Sequence, residues 1–228
     1  MCYNLRKTLN MPTKTPVKKN GNGKKIGHNT LSAICAPGEI CELRFKICIS
    51  GAADTSHINP ESLEKTREIG RLVAERGMVL VTGATTGAPL WAARGAKEAG
   101  GIVIGISPAS SKLQHVRGYR LPTDYHDLII YTGFGYSGRN LLLTRSADAV
   151  ISVGGRIGTL NEFTDAFEDQ KPQGVLLGSG GTTDLLPDII GEAHRGPGKV
   201  AFDTDPVKLL DKVMTMVLAD EKEVVPIS

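Results

Sequence analysis

Three short segments of the sequence bring glycine together with hydroxyl side chains: Gly83-Ala84-Thr85-Thr86-Gly87, Gly133-Phe134-Gly135-Tyr136-Ser137-Gly138 and Gly154-Gly155-Arg156-Ile157-Gly158-Thr159. Backbone amides approach a phosphate closely only where no Cβ intervenes, so such segments suit an anion. Thr85, Thr86, Ser137 and Thr159 add hydroxyl donors, and Arg156 adds a cation. Gly83, Gly87, Gly135, Gly155, Ile157 and Gly158 offer main-chain N–H groups. A tight strand-to-helix turn would explain one such segment, whereas three point to a bound ligand. The second matches the GxGxxG pattern of dinucleotide sites, which requires an acidic residue about twenty positions later. Val153 to Arg156 occupy that place, and Asp148 precedes the strand at its wrong end. NAD is therefore not expected, and the absence of GxxxxGK[ST] excludes a P-loop ATPase. No cofactor and no metal site are expected.

Such loops bind ligands when they follow the carboxyl ends of parallel strands and open helices, where free N–H groups and the helix dipole converge. The sequence supplies that framework. Apolar runs predict seven strands, at Phe45 to Ser50, Met78 to Thr82, Ile102 to Ile106, Asp127 to Tyr131, Ala149 to Val153, Gly174 to Leu177 and Lys199 to Asp203. They are nearly continuous rather than alternating, as in strands buried on both faces. Helices are predicted between them, the first opened by Asn59-Pro60 and closed by Gly77, the others over Pro89 to Ala99, Gly138 to Ser146, Gly158 to Asp169, Asp184 to His194 and Pro206 to Ala219. The fold class is α/β, a Rossmann-like, doubly wound, mainly parallel sheet with helices on both faces. The long connection Ser107 to Asp124 is expected to be functional or mobile.

The stretch from Gly138-Arg139-Asn140 through Ala147-Asp148-Ala149-Val150-Ile151 to Gly154-Gly155-Arg156-Ile157-Gly158-Thr159-Leu160-Asn161-Glu162 resembles the Lonely Guy (LOG) family and its bacterial relatives. Val81-Thr82-Gly83 to Gly87 and Gly100-Gly101-Ile102 to Pro108 extend the likeness, which covers roughly Arg44 to Leu218. The resemblance implies a dimeric Rossmann-like protein that hydrolyses the N-glycosidic bond of nucleoside 5′-monophosphates, with Arg139 and Glu162 as the catalytic pair and Gly155, Gly158 and Thr159 on the phosphate. Three positions depart from the family pattern: Gly154 stands for its Pro, Arg156 for its second Gly and Asn140 for its Lys. The residues allow that chemistry, since a carboxylate stabilises the positive charge that builds on the ribose and can orient water. Read without the resemblance, Glu162 is more simply a helix-terminal acid favoured by the dipole and Arg139 a surface cation. The alternative is a non-catalytic sensor or carrier of a nucleotide or another phosphorylated ligand. The old "lysine decarboxylase" label of such proteins finds no support, because Lys97, Lys112 and Lys171 lack a Schiff-base setting.

Composition bounds the rest. The chain has 228 residues, 40% of them hydrophobic, and a net charge of +3. Residues 1 to 30 hold seven Lys or Arg and no acid, leaving 20 basic against 24 acidic residues elsewhere. A basic, disordered arm over 1–43 and a single domain over 44–228 are expected. No apolar run is long enough to span a bilayer, and a cytoplasmic protein is expected. Cys2, Cys35, Cys41 and Cys48 form no CxxC pair, so reduced thiols are expected, with Cys48 in the core. His57, His115 and His126 are expected at the surface or in loops, with His115 and Arg117 at the rim of the site. The expected partners are a nucleoside monophosphate or related phosphorylated small molecule and a second copy of the chain; a membrane or nucleic acid is not expected.

Overall fold

The computed structural model describes residues 43–223 apart from residue 57. The arm predicted over 1–43 falls outside the described residues except for Leu43, as do Cys2, Cys35, Cys41 and His57. Seven strands follow one another as β1 (Lys46–Gly51), β2 (Val79–Thr82), β3 (Ile102–Ser107), β4 (Leu128–Tyr131), β5 (Ala149–Val153), β6 (Gln173–Leu176) and β7 (Val200–Asp203). The helices are α1 (Pro60–Glu75), α2 (Ala88–Glu98), α3 (Gly135–Arg145), α4 (Ile157–Glu168), α5 (Leu186–Ala193) and α6 (Pro206–Glu223). The sheet order is β4-β3-β2-β1-β5-β6-β7, and every pairing is parallel. This is a Rossmann-like α/β sheet with helices on both faces. The chain winds outward from β1 to β4, then crosses back to place β5 on the other side of β1. That reversal opens a crevice beyond the carboxyl ends of β1 and β5.

Alternate residues of the central strands feed two cores. Ile47 and Ile49 of β1, with Leu80, Val103, Ile151 and Val153, pack under Ile69 and Val73 of α1, Ala92 and Ala96 of α2, and Leu209, Leu210 and Val213 of α6. Cys48, Val81, Ile106 and Val150 pack under Leu143 of α3 and Ala166 of α4. Burial of both strand faces explains the unbroken apolar runs. Burial also pushes the Cys48 thiol well above its ordinary pKa, which keeps it an inert core group. Asn59 caps α1 by accepting from the Ser62 amide at 2.7 Å, with Pro60 in the first turn. No helix among the described residues is long and apolar enough to cross a membrane.

Three local expectations need correction. The helix predicted from Gly138 begins at Gly135, because Gly133 (φ +75°) makes the turn and the Gly135 amide is taken by the Pro108 carbonyl at 3.1 Å. The long connection after β3 is folded around His115, which is fully buried rather than at a rim. Its Nδ1 meets Ser107 Oγ and its Nε2 meets the Pro122 carbonyl, both at 2.8 Å, so the ring ties the two ends of the connection together. His126, half-buried in the loop before β4 as expected of a loop residue, meets Thr82 Oγ1 at 2.8 Å. The helix predicted over Asp184 to His194 is a 3₁₀ turn (Thr182–Leu185) followed by α5. Asp184 spends its carboxylate on the Gly178 and Gly180 amides of the preceding loop, at 2.8 and 3.0 Å.

Candidate functional site

A cleft of about 380 Å³ occupies the crevice at the strand-order reversal. Its floor and walls come from the loop after β1 (Gly51, Ala52, Ala53), from Thr85 after β2, from the first turns of α3 (Tyr136, Arg139, Asn140) and from the start of α4 (Arg156, Gly158, Thr159, Glu162). The β1 loop joins its neighbours through the backbone. The Ala52 amide donates to the Gly154 carbonyl at 3.2 Å, and the Ala52 carbonyl accepts from the Ala88 amide at 3.0 Å. A hollow of about 240 Å³ at the opposite edge is lined by Phe45, Asp148, Lys171 and Asp220 among others. Its carboxylates are spent on neighbours, Asp148 on Lys46 at 2.9 Å and Asp220 on Lys199 at 2.6 Å.

The predicted site residues divide by position. Arg139, Glu162, Thr85, Arg156, Gly158 and Thr159 line the cleft. Gly83 lies beneath it, where a Cβ would fall 1.8 Å from Nη1 of Arg139, so only glycine leaves room for the guanidinium. Gly155 supports the α4 turn, its carbonyl accepting from the Thr182 amide at 2.8 Å. Thr86 donates its hydroxyl to the Ala53 carbonyl at 2.9 Å, and Gly87 turns tightly against the same loop, so both brace the wall rather than line it. Gly135, Ser137 and Ile157 lie outside the cleft lining, and Ile157 is 74% exposed. Ser50, Ala52, Ala53 and Tyr136 are site residues that the sequence does not single out, and Asn140, noted there only as a departure from the family pattern, joins them. Gly51, ending an apolar strand, was the available signal.

α4 starts without a side-chain cap; its first internal bond runs from the Leu160 amide to the Arg156 carbonyl at 3.0 Å. The amides before Leu160 have no partner within the helix, and the dipole favours an anion there. Behind them lies a buried ion pair. Arg139 and Glu162 are 5% and 6% exposed, with Nη1 3.6 Å from Oε1. The Ser50 hydroxyl donates to Glu162 Oε2. Asn140, in the amide orientation that satisfies its surroundings, donates to Glu162 Oε1 at 2.8 Å and to the Tyr136 carbonyl at 2.9 Å. Burial raises the Glu162 carboxyl above its ordinary pKa, opposed by the Arg139 charge and the Ser50 hydrogen bond. Nε of Arg139 is buried and has no hydrogen-bond partner among the described residues. The guanidinium sits 5.9 Å from the centroid of Tyr136, whose ring meets Tyr119 edge to face at 5.5 Å. No group of three metal-ligating side chains occurs among the described residues.

An uncharacterized protein of Archaeoglobus fulgidus is 33% identical over 127 residues, covering 56% of this chain and 78% of that protein. The molybdenum cofactor binding protein of Rippkaea orientalis superposes with a TM-score of 0.64 at 28% identity, covering 77% of this chain and 98% of that one. The molybdenum cofactor carrier protein of Chlamydomonas reinhardtii gives 0.61 at 26% identity, covering 78% and 99%. The fold alone is shared with DNA processing protein A of Helicobacter pylori (21% identity, TM-score 0.56, 75% of this chain and 81% of that one), described for its single-stranded DNA binding mode. The fold thus gives no support to the expectation that nucleic acid is not a partner. The family model that matches, over residues 44–210, is described as the SLOG cluster4 family, not as the Lonely Guy family that the motifs resemble. With that match spanning most of its length, the chain belongs to the SLOG cluster4 family.

Proposed function

We propose that this chain is a binding protein of the carrier type for a phosphorylated small molecule that bears a planar heterocycle. The observation that carries this reading is one cleft whose wall combines the uncapped first turn of α4 with the side chain of a buried arginine. An anion seated there accepts from the free amides of the turn and lies beside the arginine's charge. Tyr136, 49% exposed on the cleft wall and held edge to face by Tyr119, offers a surface for the ring. The two molybdenum cofactor proteins of similar fold support a ligand of this type. A nucleoside 5′-monophosphate has the same parts.

A second reading, hydrolysis of the N-glycosidic bond of such a nucleotide, is favoured by the presence of Glu162 beside Arg139 on the cleft wall. Against it, both carboxylate oxygens already serve the protein, one bonded to Ser50 and the other to Asn140 and Arg139. Calorimetric titration with nucleoside 5′-monophosphates and with the molybdenum cofactor, paired with an assay for free base, separates the two. The carrier reading expects saturable binding, no base released, and affinity within about threefold of wild type in Glu162→Gln, where the nearly isosteric amide leaves ground-state contacts in place. Base released by the wild type, and lost about 100-fold or more in Glu162→Gln, would establish the hydrolase instead.

The chain's second partner in this proposal is its own copy, with a cytoplasmic setting. Leu128 and Ile130 of edge strand β4 lie in register with Ile104 and Ile106 and remain 55% and 47% exposed. On the same face, Leu141 and Leu142 of α3 are exposed as well. A two-fold contact would cover this apolar face. Sedimentation at micromolar concentration is expected to show a dimer, and Leu128→Glu with Leu142→Glu to yield monomer.

A further inference from the structure

Arg156, the cation that replaces a glycine of the resembling family, stands at the mouth of the cleft. Its Nη1 lies 3.3 Å from Oδ2 of Asp54, so the pair joins the loop after β1 to the start of α4 across the strand-order reversal. The side chains are 57% and 50% exposed. The backbone on both sides is fixed independently of this contact. Asp54 Oδ1 accepts from the Ser56 amide at 3.0 Å, and the Arg156 carbonyl accepts from Leu160 N and Thr182 Oγ1 at 3.0 and 3.1 Å. The ion pair is therefore not needed to hold either loop, and an exposed pair of this kind contributes little to stability. It does set the charge at the entrance.

We propose that Arg156 and Asp54 form an exchangeable clasp that selects for an anion: the phosphate of the bound ligand replaces Asp54 as the partner of Arg156. Buried Arg139 lines the same cleft, and the free amides at the start of α4 directly follow Arg156 in the chain, with Gly158 and Thr159 on the cleft wall. A phosphate reaching these groups brings more charge to the guanidinium than a carboxylate does, with two oxygens in fork geometry. Asp54 gives up only this exposed contact, at small cost because its side chain is half exposed. The same carboxylate works against any anion that arrives without Arg156 to answer it. Asp54 is thus a competitor of the ligand, and Arg156 is a specificity-determining residue.

This inference rests on the proposed phosphate cleft, and the test keeps the two apart. AMP and adenosine are titrated into wild type, Arg156→Ala, Asp54→Asn and the double variant, each checked for an unchanged melting curve. Asparagine retains the acceptor for Ser56, so the loop after β1 keeps its turn. The expected result is opposite signs: AMP binding about 10-fold weaker in Arg156→Ala, about threefold tighter in Asp54→Asn, and intermediate in the double variant. Adenosine binding should stay within about twofold throughout, because it brings no anion to the mouth. If both single variants weaken AMP binding, or neither changes it while wild type binds AMP, the clasp is overturned and the cleft stands. If folded wild type binds neither AMP nor inorganic phosphate, the cleft reading fails and the clasp with it.

Discussion

Arg139→Met is expected to lower folding stability by about 3–5 kcal/mol near neutral pH, and by much less in acid. The substitution keeps an unbranched side chain of similar reach in the space beside Gly83, so packing changes little. What it removes is the cation facing a carboxylate that is only 6% exposed. Ser50 and Asn140 still donate to Glu162, but they bring no charge. Burial, opposed now only by the Ser50 hydrogen bond, then raises the carboxyl further than in the wild type, where the Arg139 charge also opposes the shift. A carboxyl raised in the folded state holds its proton more tightly there than in the unfolded chain. Stability therefore falls as pH rises above the ordinary value of 4.5 and continues falling until the folded-state group ionises. Removing Arg139 widens that window upward. Denaturant unfolding of both proteins at pH 4.5 and 7.5 checks this, the difference growing with pH. Adding Glu162→Gln to Arg139→Met should flatten the pH dependence and restore part of the loss; a deficit equal at both pH values would assign the cost to packing instead.

The sheet was legible because its strands are buried on both faces. Runs such as Ile47 to Ile49 and Ala149 to Val153 have no polar alternation to confuse them with surface strands, and the observed strand bounds fall within a residue or two of the predicted ones. The start of α4 was legible for a similar local reason, since a glycine-rich turn after an apolar run leaves few alternatives. Long-range geometry was not readable in the same way. Ser50 and Glu162 are 112 residues apart, and Asp54 and Arg156 are 102 apart. Both meetings depend on β5 returning to pair with β1, which is decided by the whole sheet rather than by any one segment. The β1 loop was missed because Ala52 and Ala53 carry no chemistry in their side chains and contribute their backbone and position. His115 misled for the opposite reason. A polar side chain in a Ser- and Arg-rich connection reads as surface, yet its two ring nitrogens satisfy groups that would otherwise be buried without partners. The GxGxxG match shows the limit of a pattern taken without its context, since Gly135 and Gly138 lie inside the first turns of α3 and outside the cleft lining.

Gly158→Asp is expected to leave the fold intact and to weaken binding of a phosphate ester by about 100-fold or more. A Cβ placed on Gly158 meets no atom within 4 Å, and the residue is not among those with positive φ, so an L side chain fits without strain. It occupies the second position of α4, where an acidic side chain interacts favourably with the helix dipole by roughly 0.3–1 kcal/mol. Melting temperature should therefore hold or rise slightly. The same carboxylate lies on the cleft wall, where it competes for the free amides and for the Arg156 guanidinium and repels an incoming dianion. Gly158→Asn supplies the control, with nearly the same volume and no charge. Its loss of affinity should be about 10-fold or less, since it offers only steric competition and a neutral acceptor. The gap between the two variants should narrow as salt is raised, because part of the effect is Coulombic at a site open to solvent. Wild-type affinity for AMP in a folded Gly158→Asp protein would remove the phosphate from the start of α4 and with it the basis of the proposed function.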